Sequence, residues 1–197
     1  TSSLLEGDTV GYAKISCLSR STGAELESAL AELRSRNVRS LVLDLRNLAG
    51  GEVDTTAEVA KPFLAGKRAL GIEVRSRNRR SVIAIPQAAE ADRWKTPIVV
   101  LVNAGTARMG ELLAAALREN RGARLVGERT YGDFAETTLI DQRDGSAVLL
   151  TTGALLTSKG GNYSGKGLPV DVTVASTAQG DAQLKEAVRL AATGGRG

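Results

Sequence analysis

The chain has 197 residues, 26 Lys and Arg against 22 Asp and Glu, a formal net charge of +4, one cysteine and no histidine. The length is ample for a sizeable core, and the lack of histidine excludes Ser-His-Asp and Cys-His nucleophile systems and His-ligated metals. Cys17 alone excludes an internal disulfide framework or a thiolate cluster, so nucleophilic chemistry here needs Ser or Thr with Lys, or carboxylates.

With aromatic residues at 3%, the core must be built from Leu, Val, Ile and Ala. Val10, Tyr12 and Ile15 indicate a short strand. Thr22-Gly-Ala-Glu then starts a helix whose Leu26, Ala29, Leu30 and Leu33 recur at helical spacing, ending near Asn37. Ser40 to Asn47 reads as a largely buried strand, which completes a β-α-β unit with parallel pairing. After a loop at Asn47 to Gly51, residues Asp54 to Leu64 are helical in pattern. Two β-rich arms, Leu70 to Val74 and Ser81 to Ile85, flank the basic tip Arg75-Ser-Arg-Asn-Arg-Arg and predict a hairpin. Pro97 to Asn103 is the clearest core strand, Met109 to Asn120 the clearest short helix, and Leu125-Val-Gly a third element that closes a second β-α-β unit. Thr137 to Asp141 and Ala147 to Thr152 are strands around the turn Arg143-Asp-Gly-Ser, and a last helix runs from about Asp181 to Ala192 before a frayed tail near 193–197. The expectation is one α/β domain over residues 1–197, with a mixed parallel and antiparallel sheet, packed helices and a hairpin. The longest apolar run, Ile98 to Val102, is too short for a transmembrane segment, and the opening Thr-Ser-Ser has no charged start or apolar signal core.

Three segments, in order, carry a resemblance. They are Leu43-Asp-Leu-Arg-Asn-Leu-Ala-Gly-Gly; Val100-Leu-Val-Asn-Ala-Gly-Thr-Ala-Arg-Met-Gly-Glu, continuing to Leu125-Val-Gly-Glu-Arg-Thr-Tyr-Gly; and Arg143-Asp-Gly-Ser with Gly165-Lys-Gly-Leu-Pro-Val-Asp-Val. Together they resemble the catalytic core of the C-terminal processing, or tail-specific, serine proteases, from about Gly11 to Val172. The resemblance implies a spiral core related to the crotonase and Clp-protease folds, often with a PDZ domain that holds the substrate's tail; no PDZ-like segment is visible here. It also implies a Ser-Lys dyad, which agrees with the absence of histidine, since a desolvated neutral Lys can take the Ser proton.

The departures from the pattern fall on the chemistry. Where the family places its nucleophilic Ser, three positions before Glu111, this chain has Arg108; where it places Lys after Thr-Tyr-Gly, this chain has Asp133; the orienting Gln position is Thr137. Glu119 keeps an acid where relatives often carry Asp. No Ser occurs between Ser81 and Ser146 and no Lys between Lys95 and Lys159, so a one-turn slip of the alignment restores no dyad. Thr106 is the nearest hydroxyl, and without a base it would be inert.

Arg108 and Asp133 have opposite charge, so a bidentate salt bridge across the altered site is expected, against the alternative that each faces solvent independently. Gly50 and Gly51 match the family's oxyanion-hole loop, with Met109 as the second N–H donor; a tight turn needing positive φ explains the glycines equally. Asp44 and Arg46 on one strand face suggest a structural pair. Glu52, Asp54 and Glu58 form a solvated helical face rather than a metal site, and the basic cluster Arg75, Arg77, Arg79 and Arg80 lacks the interleaved aromatics that base stacking needs. Lys166 reads as structural rather than as a displaced base.

The expected function is that of an inactive homologue, a pseudoprotease, that binds an extended peptide, a protein tail or a partner subunit, with no cofactor, no metal and no nucleic acid. Two alternatives stand beside it: an active serine-type endopeptidase cutting near apolar C-terminal tails, and an apolar small-ligand module. The resemblance alone implies an extracytoplasmic compartment, whether periplasmic, secreted or lumenal.

Overall fold

Alternate apolar residues along two strands decide the layering. In β3 (Ser40–Asp44), Leu41 and Leu43 point to one side and Val42 to the other; in β6 (Ile98–Val102), Val100 and Val102 oppose Val99 and Leu101. Both strands are buried throughout, as expected of strands covered on two faces. This computed structural model describes residues 2–5, 9–64, 66, 69–75, 79–177 and 180–194. Residues 76–78 of the hairpin tip, with Arg77, and 195–197 of the tail lie outside the described residues.

The larger sheet has six strands in the order β1-β2-β3-β6-β7-β10. Here β1 is Ser2–Leu5, β2 Val10–Lys14, β7 Arg124–Gly127 and β10 Val172–Thr173. All neighbours are parallel except β1, which runs antiparallel to β2. The expected β-α-β units are present. Helix α1 (Thr22–Ser35) joins β2 to β3, and α3 (Met109–Arg121) joins β6 to β7. Leucines and alanines of α1, α2 (Val53–Leu64) and α3 share one core with Leu41, Leu43 and Val100. Helix α4 (Ala182–Ala192) covers the opposite face through Ala187, Leu190 and Ala191. Each leucine buried this fully contributes on the order of 1.5–3 kcal/mol from its removal from water.

The second sheet is antiparallel, in the order β5-β4-β9-β8, with β4 Ala69–Arg75, β5 Arg79–Ala84, β8 Ala135–Asp141 and β9 Ala147–Thr157. The expected hairpin of β4 and β5 forms. Three details differ from the sequence reading. β1 was not foreseen; β8 begins at Ala135; and β9 runs on to Thr157, where Gly71 to Arg75 of β4 pair with Gly153 to Thr157. A register shift between Glu136 and Thr137 interrupts the β8–β9 ladder.

The pairing of Asp44 with Arg46 is structural, as expected. Arg46 Nη2 lies 2.6 Å from the buried Asp44 carboxylate, and Arg46 Nη1 reaches Asp181, the N-cap of α4, at 2.7 Å. Tyr12 donates to the same Asp44 at 2.8 Å. This clamp fastens α4 to the sheet, and the guanidinium of Arg46 holds the Asp181 carboxyl below its ordinary value.

Candidate functional site

The centre of the site is the entry to α3. Arg108 is its N-cap and has φ 50° and ψ −113°, a region that non-glycine residues occupy only under strain of on the order of 1–3 kcal/mol. What holds it there is Glu111, one turn on and fully buried. Its carboxylate accepts from the N–H groups of Arg108 (3.1 Å), Gly132 (2.7 Å) and Asp133 (2.8 Å), and from the Thr130 hydroxyl in a short bond. Thr130 Oγ1 in turn accepts from the Leu168 N–H at 2.7 Å. One carboxylate therefore fixes the helix entry, the loop at 130–133 and the strap at 165–168 to each other. The sequence reading used Glu111 only as a landmark. An acid three residues into an otherwise apolar helix start was the signal of its role.

Arg108 and Asp133 are brought together, with Nε 3.4 Å from Oδ2 and both side chains about one-third exposed. The contact is single and long, which corrects the expected bidentate fork. The guanidinium is shared: Nη2 donates to Thr137 Oγ1 at 2.6 Å and to the Ala135 carbonyl at 3.4 Å. Asp133 also accepts from the N–H of Ala135 at 3.1 Å. Arg108 thus lies against the open edge of β8, linking Asp133 and Thr137, the two other positions that the resemblance singles out.

Opposite stand Gly50 (φ 77°) and Gly51 (φ 102°). A Cβ on Gly51 would come within 2.7 Å of the Leu18 side chain, so the turn requires glycine on both grounds. Gly50, Gly51 and Met109 line one cleft of about 490 Å³ together with Arg108 and Thr137. Among the described residues none of the three N–H groups donates to another backbone carbonyl outside the helices and strands. The geometry leaves them available to a carbonyl or carboxylate oxygen of a ligand.

Thr106 is not in the cleft. It is fully buried; its hydroxyl donates to the Leu45 carbonyl at 2.9 Å and accepts from the Asn103 N–H at 3.1 Å. Among the described residues Thr137 carries the one hydroxyl on the cleft wall, and no described lysine lines it. A guanidinium beside that hydroxyl cannot take its proton, because Arg stays protonated in proteins. Lys166 is exposed on the strap, and Glu119 is occupied by Ser158 and the Lys159 N–H.

Sequence reading missed Glu73 and Glu136 and took Glu52 and Asp54 for a solvated face only. Glu73 and Arg75 of β4 and Glu136 of β8 line the cleft together with Glu52 and Asp54. Arg75 is spent on Glu73 at 2.5 Å. Burial, and then the negative charge of Glu73, push the Glu136 carboxyl above its ordinary value despite Arg75 and Arg108 nearby. Strands sixty residues apart supply these groups, so no local pattern announces them.

The profile of peptidase family S41 matches residues 9–174. The chain is 35% identical over 146 residues to carboxyl-terminal-processing peptidase 3, chloroplastic, of Arabidopsis thaliana, covering 74% of this chain and 28% of that protein. It is 36% identical over 145 residues to a carboxyl-terminal-processing protease of Synechocystis sp., covering 74% of this chain and 33% of the relative. The solved structure of a photosystem II D1 C-terminal processing protease superposes with a TM-score of 0.78 at 30% identity, over 95% of this chain and 48% of that one. The chain therefore spans about a third of the curated relatives' length and about half of that structure. No helix among the described residues is long and apolar enough to cross a membrane.

Proposed function

The chain belongs to peptidase family S41, and from that premise we propose that it is a catalytically inactive member, a pseudoprotease whose cleft holds an extended peptide. The observation that carries this reading is the state of Arg108. It stands at the strained helix entry, and its side chain occupies the space between Asp133 and Thr137. In the reading drawn from the resemblance, those three positions are the nucleophile, its base and the base's orienting partner. With Arg108, Asp133 and Thr137 there, no hydroxyl of the described cleft residues has a proton acceptor of lysine type, which leaves acyl transfer of the family's kind without its first step.

Binding needs none of those groups. The N–H groups of Gly50, Gly51 and Met109 can receive a peptide carbonyl, and the open edge of β8 can receive a strand. The charged walls of the cleft favour a peptide over an apolar small ligand. An extracytoplasmic compartment is proposed on the family resemblance alone. The test is to titrate the chain into a fluorescent unfolded-tail peptide and weigh the peptide by mass spectrometry afterwards. Saturable binding with the peptide intact supports the reading; stoichiometric cleavage, or no binding, overturns it.

A further inference from the structure

Three features of the cleft and its flank fit one kind of ligand. The first is charge. Arg75 is paired with Glu73, and Arg108 lies against Asp133 and Thr137, whereas Glu136, Glu52 and Asp54 have no ion pair among the described residues. Although the chain carries a net +4, the unspent charge of the described cleft residues is negative. Glu136 is half-buried on the cleft wall it shares with Glu73; burial and then the charge of Glu73 raise its carboxyl above the ordinary value, so an added cation there would be favoured.

The second feature is the strand edge. Among the described residues β8 pairs only with β9. The Phe134 carbonyl accepts from Leu155 of β9, so alternation turns the backbone groups of Ala135 outward; these are met by Arg108 and Asp133. By the same alternation Thr137, Leu139 and Asp141 offer their backbone groups to the open side.

The third feature is the ribbon beyond the cleft. Leu139 lies opposite Leu149, and Ile140 opposite Val148. Leu139 is 63% exposed and Leu149 61%, with Ile140, Val148 and Leu150 also exposed. A two-stranded ribbon carrying aliphatic pairs on both faces is marginal in water by itself and gains from a third strand. Glu136 and Leu139 are three residues apart on one strand, about 10 Å at ~3.3 Å per residue.

Resting on the peptide-binding reading above, we propose that the ligand is an extended segment that adds to the open edge of β8, places a Lys or Arg side chain in the cleft beside Glu136, and lays aliphatic residues three to four positions away against Leu139 and Ile140. The charge of the cleft selects the basic residue, the ribbon selects the aliphatic ones, and the backbone edge fixes their spacing.

Fluorescence anisotropy with three labelled nonapeptides tests this. All share an aliphatic pair, and the position four residues away is Lys, Gln or Glu. The Lys peptide is expected to bind about tenfold or more tightly than the Gln peptide, and the Glu peptide weakest. Glu136→Gln should erase the Lys preference, bringing the Lys and Gln peptides to equal affinity, and Leu139→Ser should weaken all three alike. Equal binding of the three peptides overturns this inference and leaves the peptide-binding reading intact; no binding of any overturns both. Sedimentation of the chain alone supplies a further check. A dimer abolished by Leu139→Ser, with no peptide preference, would assign the ribbon to a second copy and overturn the proposal.

Discussion

Replacing Glu111 by Gln probes the account at its structural centre. The carboxylate is fully buried and accepts from three backbone N–H groups and one hydroxyl. A Gln amide of nearly the same shape keeps one acceptor oxygen and turns an NH₂ toward groups that are themselves donors. Two of the buried donors then lose their partner, at roughly 1–3 kcal/mol each, which gives about 2–6 kcal/mol of destabilisation. In a chain of this size that lowers the melting midpoint by about 4–24 °C. Urea unfolding followed by far-UV circular dichroism measures it, with Glu119→Gln as control. Glu119 serves only Ser158 and the Lys159 N–H at a half-buried site, so its loss should stay under about 1 kcal/mol. Glu111→Gln within about 0.5 kcal/mol of the parent, or equal to Glu119→Gln, would refute the claim that one carboxylate holds helix entry, loop and strap together.

Arg108→Ala keeps the strained φ 50° backbone while losing the contacts to Asp133 and Thr137, whereas Arg108→Gly loses the same contacts and relieves the strain; chemical unfolding should find the Gly variant more stable than the Ala variant by about 1–2 kcal/mol. Gly167 has φ 69°, and a Cβ there would fall 2.0 Å from the Thr130 carbonyl oxygen, so Gly167→Ala should cost at least ~2 kcal/mol and release the strap, read as faster hydrogen exchange at Leu168. Asp181 has its folded carboxyl held below the unfolded value by Arg46, so its contribution is present above the unfolded carboxylate range and lost as pH falls through the lowered folded value. Asp181→Asn should therefore lower stability at pH 7 by about 1 kcal/mol, discounted for partial exposure, and flatten the acid side of the stability profile.

The larger sheet was legible because burial on both faces leaves continuous apolar runs, as at Leu41 to Leu43 and Ile98 to Val102, and because the helices between them repeat leucines at helical spacing, as Leu26, Leu30 and Leu33 do. β1 was missed because Ser2-Ser3-Leu4-Leu5 is too short to show alternation. The second half of β9 was missed because Gly153 interrupts the pattern; a side chain there would meet the Val74 carbonyl and Glu136, so the glycine marks a close crossing of strands. Within the site, the meeting of Arg108 and Asp133 followed from opposite charge at positions the resemblance brings together. The fork geometry did not follow, since Thr137 and the Ala135 carbonyl compete for the guanidinium and only folding puts them within reach. Glu73 and Glu136 became neighbours through the pairing order β4-β9-β8, which no local window contains.

The most direct test of the central claim is cleavage of an unfolded protein ending in apolar residues, followed by gel and mass spectrometry. The parent chain and the Arg108→Ser, Asp133→Lys double variant are run side by side at equal concentration. The account expects an intact substrate with the parent and new C-terminal fragments with the double variant, since the strained helix entry, the Glu111 anchor and the N–H groups of Gly50, Gly51 and Met109 all remain. Cleavage by the parent itself, in proportion to its concentration and co-purifying with the chain, would contradict it.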